Sequence, residues 1–287
     1  MTTAVLQVPY DSGHRDARMG RGPGHLMDAG LRERVRAAGD TPVPTRVVSD
    51  HEFPREISTT FELAGKLAGD VARARRDGAF PLTVSGMCSA ALGMIGGLAD
   101  VPRLGVVWLD AHTDMNTPQV SVTGFLDGMP LATALGWTFQ TIGKSVPGWE
   151  PLPENRVLHG GARQFDPGDK VNFEASGLHK LDPAEWRKRG LVAVEPPLTA
   201  LARQVDAVYL HIDIDVHDPE EACANCCYAA GGPSRAQVYA AAQRVLEQVP
   251  VVGASLTCLD PDYDTDGAAT AAALDLAALI VGRVSAR

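Results

Sequence analysis

Seven short apolar runs punctuate the chain: AVLQV (4–8), TRVVS (45–49), PLTVS (81–85), LGVVWL (104–109), RVLHG (156–160), AVYLHI (207–212) and VVGASL (251–256). They are nearly continuous in apolar character, the pattern of strands buried on both faces. Between them, residues 57–76, 89–99, 235–248 and 267–282 carry apolar positions at helical spacing. This alternation predicts an α/β fold, a mostly parallel sheet flanked by helices. No linker rich in Pro, Gly and Ser divides the chain and no repeat recurs at fixed period, so one domain over 1–287 is expected. The stretches 115–130 and 216–234 are long for strand–helix connections, and long loops in compact domains usually carry function.

In an open parallel sheet, ligands sit at the carboxyl ends of the strands. That rule gives meaning to the polar residues behind the runs. WLDAHTD follows one strand, HIDIDVHDP (211–219) ends another, SGMCS (85–89) follows a third and TCLDPD (257–262) a fourth. Asp110, His112 and Asp114 alternate, as do Asp213 and Asp215, so in extended chain each set faces one side. Four carboxylates and an imidazole gathered near one point would repel unless cations joined them, and carboxylate-rich ligation favours a hard ion such as manganese. Acids that merely open turns are the ordinary alternative for either cluster alone. Two such clusters, each behind a buried run, weigh against it.

Composition narrows the partners. A chain of 287 residues with 45% apolar content can bury a large core. A net charge of −9 and a pI near 5.3 point away from nucleic acid and from anionic membranes, which need basic surface. No secretory signal is legible and no apolar run approaches a membrane span in length. Five thinly spread cysteines then suggest a reducing cytoplasm, not a disulfide framework. Cys223 and Cys226 form a C-x-x-C with Cys227 adjacent, but a zinc site needs two more ligands and only His217 is near in sequence. Small buried residues are the more ordinary reading of these three.

DAHTDMNTP and HIDIDVHDP resemble the two metal-binding signatures of the ureohydrolases, the family of arginases, agmatinases and their relatives. GRGPGHLMDAGL (20–31), TGFLDGMPLATALG (123–136) and GARQFDPGD (161–169) are similar, in order, to the arginase amino-terminal helix start, substrate loop and amino-group-reading segment. The resemblance implies a single three-layer α/β domain in trimers or hexamers. It also implies hydrolysis of a guanidino C–N bond by a hydroxide held between two Mn²⁺ ions. By the same resemblance, Asp110 and Asp213 would bridge both ions, His112 and Asp215 would complete one site, and Asp114 would bind the other. Asp114 would also carry a proton from the hydroxide to the leaving nitrogen. Asn116 and Thr123 match positions that bond an α-carboxylate, and Asp166 and Asp169 match those that read an α-amino group. Asp166 before Pro167 also reads as a helix N-cap.

Three departures fall at reactive positions. SGMCS stands where the family has Gly-Gly-Asp-His-Ser, placing Cys88 at the position of the remaining metal ligand. A thiolate can ligate, though sulfur suits zinc or iron better than manganese. Alternatively Cys88 is a small buried residue and that site is weak or empty. Asp127 stands at the position of a proton-shuttling His. It could relay protons or bind a cation, although an ordinary carboxylate pKa is low for donation at neutral pH; a turn role is the alternative. Cys258 stands at the position of the guanidinium-orienting Glu, which removes a charge-assisted contact to the substrate. These features together predict a metal-dependent amidinohydrolase of an arginine-like amino acid. N-ω-hydroxyarginine is attractive because its leaving nitrogen depends less on a shuttle. The competing expectation is a protein of this fold that binds an amino acid, or serves as a structural partner, without catalysis.

Overall fold

In the computed structural model, which describes residues 1–51 and 55–286, the apolar runs assemble into one sheet. Its strands are β1 (Thr2–Val8), β2 (Thr41–Arg46), β3 (Ala79–Ser85), β4 (Leu104–Leu109), β5 (Val157–Gly160), β6 (His179–Leu181), β7 (Ala207–Asp213) and β8 (Val251–Thr257). Their order is β2-β1-β3-β8-β7-β4-β5-β6, and every pairing is parallel. Successive side chains alternate between two apolar layers. Val107, Leu109, Leu210 and Ile212 pack on one side beneath the helices Leu191–Ala202, Arg235–Gln248 and Ala268–Ser285. Val106, Trp108 and Tyr209 pack on the other, against Glu56–Arg76 and Ala91–Gly97. The result is a single three-layer α/β domain, as expected.

The differences lie at the edges. The second strand, expected at 45–49, forms at Thr41–Arg46 with the sequence TPVPTR. It pairs only with β1, and an edge strand tolerates prolines that cannot donate to a ladder. No residue of it is fully buried, so an apolar run could not mark it. At the opposite edge β6 has three residues, too few for a pattern. Leu191–Ala202 holds Pro196 and Pro197 inside a helix, where missing N–H groups argue locally against one. Ala268–Ser285 corrects the expectation about membrane-length segments. It has 18 residues at a mean hydropathy of 1.5, but 56% of it is buried, against the helices Leu31–Ala37 and Arg235–Gln248.

Register sets the site. Ser85 pairs with Thr257 and Thr257 with Asp213, while Leu109 pairs with Ile212. Four adjacent strands therefore finish within one residue of the same level, which brings Asp110, the residue after Leu109, level with Asp213.

Candidate metal centre

After β3 the chain turns inward through Gly86. A Cβ at this position would lie 2.4 Å from the Tyr10 carbonyl oxygen and 2.6 Å from the Gly20 nitrogen, so the close approach requires glycine. Cys88 follows, held by the loop at 115–130. Asp127 accepts the backbone N–H of Cys88 and that of Ser89, each at 2.8 Å. The Cys88 Sγ then lies 3.0 Å from Asp213 Oδ2, 3.2 Å from His211 Nε2, 3.2 Å from Thr257 Oγ1 and 3.5 Å from Cys258 Sγ. Burial pushes this thiol well above its ordinary pKa, and Cys258 and the nearby carboxylates add to the effect.

The two acid signatures meet here, but not by alternation along extended chain. Asp110 lies just beyond β4 and accepts the His112 N–H at 2.7 Å. Asp114 adopts left-handed backbone with φ of 53°. Asp213 accepts the Asp215 N–H at 2.8 Å across a short 3₁₀ turn, Ile214–Val216. Turns stabilised by Asp side chains bending back to their own backbone aim these groups, a local competition that residue spacing alone does not reveal. His112 Nδ1 stands 3.4 Å from Asp110 Oδ1 and 3.3 Å from Asp215 Oδ2. Burial, reinforced by neighbouring carboxylates, lifts Asp110, Asp114 and Asp213 above the usual carboxylate range. Burial opposes charge on Asp215 as well, but His112 outweighs it and Asp215 falls to about 2. Burial likewise opposes the His112 cation, and Asp215 and Asp110 overcome it.

Cys88, His112, Asp114, Asp213, Asp215 and Cys258 floor a cavity of about 340 Å³, with Asp110 packed beneath them. Its other end is formed by Asn116, Thr123, Asp166 and Asp169, its wall by Asn225, Cys226 and Cys227, and no lysine or arginine among the described residues lines it. Asn116 Nδ2 donates to Asp166 Oδ2 at 3.2 Å and to Asp169 Oδ2 at 3.4 Å, and Thr113 donates to Asp169 at 3.0 Å. Asp166 does stand at the N-cap position of Pro167–Ala175, yet its side chain makes no capping bond there. The carboxylate is turned toward Asn116. Thr123 lies exposed at the rim and accepts the Phe125 N–H at 3.1 Å.

Two sequence expectations change here. Asp127 is buried, which raises its pKa to about 7 even though the Ser89 and Cys88 N–H groups pull it down, so its ordinary solution value does not apply. Cys258, expected at the substrate, does line the cavity, and it packs against Cys88 in left-handed backbone with φ of 64°. The C-x-x-C forms no metal cluster among the described residues. Its cysteines are free, and Cys226 is exposed, not buried as expected. His217 is occupied by the Ile214 carbonyl at 2.7 Å.

Four contributors escaped the sequence reading. His211 is fully buried, stacked 3.8 Å from Trp108 and bonded through Nδ1 to the Tyr209 hydroxyl at 2.8 Å. Its place two residues before Asp213 was the available signal. Trp108 donates to Asp110 Oδ2 at 3.1 Å. Asn225 donates to Asp215 Oδ2 at 3.3 Å and to the Cys258 carbonyl at 2.8 Å. Arg163 donates to the carbonyls of Asp215, Val216 and His217 at 3.0, 3.1 and 2.9 Å, pinning the turn that carries Asp215. Main-chain acceptors leave no trace in residue type, so nothing in the sequence marked Arg163.

The model of the Arginase family matches residues 1–282. Arginase of Bacillus subtilis (strain 168) is 28% identical over 98% of each chain. Arginase-1 of Homo sapiens is 31% identical over 80% of this chain and 76% of its own. The native structure of arginase from Bacillus caldovelox superposes with a TM-score of 0.88 at 27% identity, covering 99% of this chain and 98% of that one. The Bacillus subtilis formimidoylglutamase structure shares the fold at a TM-score of 0.74 and 17% identity. From acid signatures that meet at aligned strand ends to a match spanning nearly every residue, the chain belongs to the arginase family, metal-dependent hydrolases of C–N bonds in linear amidines.

Proposed function

We propose that this chain hydrolyses the guanidino C–N bond of an arginine-like amino acid. The observation that carries the proposal is one cavity joining the acid and imidazole floor to the Asn116–Asp166–Asp169 cluster. Asp110, His112 and Asp215 suit a hard cation such as Mn²⁺: two carboxylates and an imidazole, with the His112 nitrogen within 3.4 Å of both acids. Asp114 Oδ2 is buried with no hydrogen-bond partner, as an oxygen reserved for a cation would be. The Cys88 side carries sulfur and does not suit manganese equally well. When bound, divalent ions lower the pKa of water and polarise the guanidine carbon.

The chain itself supplies orientation and proton handling. Asp166 and Asp169 receive a substrate ammonium, with Asn116 Oδ1 and Asp169 Oδ1 buried and free to bond it. Thr123 and Asn116 face the carboxylate. Asp114 carries the proton toward the leaving nitrogen. Asp127 spends both oxygens on the N–H groups of Cys88 and Ser89, and so positions that loop. With no carboxylate at Cys258 to grip a guanidinium, a substrate whose terminal N-hydroxyl makes the guanidine less basic, and so easier to bind uncharged and attack at carbon, is favoured, which points to N-ω-hydroxyarginine. The side-chain nitrogen still leaves, and the hydroxyl departs with hydroxyurea. Retention of the fold for binding alone is disfavoured, because Asp110, Asp114 and Asp213 packed together repel unless cations or protons join them. A cytoplasmic homo-oligomer, each protomer one domain over 1–287, completes the proposal.

The test is to incubate metal-loaded protein with arginine, N-ω-hydroxyarginine, agmatine and guanidinobutyrate and measure release of urea or hydroxyurea. Turnover should require both the amino and the carboxylate group. No product from any of the four overturns the proposal.

A further inference from the structure

The sulfur atoms at the floor of the cavity are arranged as a set. Cys88, Cys258 and Asp213 place one donor atom each within 4.8 Å of one another, all three residues are buried, and all three line the cavity. Two sulfurs bound to one tetrahedral zinc, each at about 2.3 Å, stand about 3.8 Å apart. Here Cys88 Sγ and Cys258 Sγ are 3.5 Å apart, so a cation fits between them with a shift of a few tenths of an ångström. Asp213 Oδ2, 3.0 Å from Cys88 Sγ, supplies the third donor. Three protein ligands with an open side toward a cavity is the arrangement of a reactive zinc site, in contrast to a closed structural one.

The surroundings hold this set in place. Cys258 points at Cys88 because its backbone is left-handed, with its N–H bound to the Ser85 carbonyl at 3.0 Å and its carbonyl to Asn225 at 2.8 Å. His211 does not line the cavity. It sits behind Cys88 with Nε2 3.2 Å from the sulfur, and its ring is fixed by Tyr209, whose hydroxyl donates to Ser255 at 2.7 Å. A ligand's far side buttressed by oriented hydrogen bonds is typical of metal centres. The neighbouring group of Asp110, His112 and Asp215 contains no sulfur.

We propose that the centre is chemically divided: Cys88, Cys258 and Asp213 take a soft divalent cation, zinc or ferrous iron, beside a hard-cation site at Asp110, His112 and Asp215. The assignment rests on the reading of this floor as a two-ion centre and makes Cys258 a ligand, not a substrate contact. As each metal–sulfur bond forms, the thiol proton passes to solvent.

Cobalt(II) tests this without reference to turnover. Metal-free, reduced, full-length protein is titrated with Co²⁺, and the near-ultraviolet thiolate-to-cobalt charge-transfer band is recorded together with bound metal. The wild type should develop the band as one of two equivalents binds, and Zn²⁺ should displace it more readily than Mn²⁺. Cys88→Ser and Cys258→Ser should each weaken or abolish it, Cys226→Ser and Cys227→Ser should leave it unchanged, and Asp215→Asn should lose the other equivalent while keeping the band. Bound cobalt with no charge-transfer band in the wild type, or a band unaffected by Cys258→Ser in protein with native circular dichroism, overturns the assignment. Failure of the proposed hydrolysis is a separate result: amidine turnover without the band removes only the soft site, whereas the band without turnover removes only the substrate.

Discussion

Asp127 and Asp166 show how one residue type takes different work from its surroundings. Asp127 is fully committed to two backbone N–H groups, so its removal loosens Cys88 before it touches any proton transfer. Asp127→Ala should cost about 1–3 kcal/mol of stability through two unsatisfied buried donors. It should also weaken metal binding, which equilibrium dialysis would report; unchanged affinity would contradict the positioning role. Asp166 is half-buried at the cavity wall and free of any cap. Asp166→Ala should raise KM roughly 10- to 100-fold, the value of a charge-assisted hydrogen bond, with kcat little changed. A fall in kcat at constant KM would show that the residue serves the reaction and not the amino group. Asp110, His112, Asp114, Asp213 and Asp215 were legible as candidate ligands from type and spacing, because those are what metal chemistry selects. The roles of Asp127 and Asp166 were not, since capping, positioning and substrate binding all call for the same carboxylate.

Among the elements, the last helix has the least obvious anchorage. Ala268–Ser285 starts after Gly267 with no capping side chain at that position, and Asp264 reaches in from the preceding turn instead. Its carboxylate accepts the N–H groups of Ala269 and Thr270, both at 2.8 Å, at the positive end of the helix dipole. Asp264→Ala should lower stability by about 1–2 kcal/mol. Denaturant unfolding would show the loss, while the metal stoichiometry, set elsewhere, stays constant. Elements with a strong periodic signal, such as Glu56–Arg76 and β4, could be read directly. β2 and β6 could not, because an edge strand is defined by the neighbour it pairs with. Leu191–Ala202 stayed hidden for a related reason: packing against the sheet overrides two prolines that local preference rejects.

Across the whole molecule, the centre joins segments far apart in the chain. Cys88 meets Asp213 across 125 positions and Cys258 across 170. A cation bound there ties β3, β4, β7 and β8 together and should stabilise the native state by mass action. With free metal at about 100 times Kd, one site contributes about 2.7 kcal/mol. Thermal unfolding should therefore move upward with added metal and return on chelation. A midpoint indifferent to both would mean that the floor binds no ion with useful affinity. Asp110→Ala should remove the shift, since Asp110 contacts both halves of the floor.

By itself the sequence determined the strand–helix alternation, the strand ends that carry acids, and a cysteine at position 88 just behind a buried run. Each of these depends on residue type and short spacing, through which local periodicity and ligand chemistry act. Only the tertiary structure decided that Cys258 faces Cys88, that His211 stands behind it, and that Asp127 holds the loop between them. Those relations depend on parallel register and loop return, which bring distant residues within bonding distance and leave no local mark on the chain.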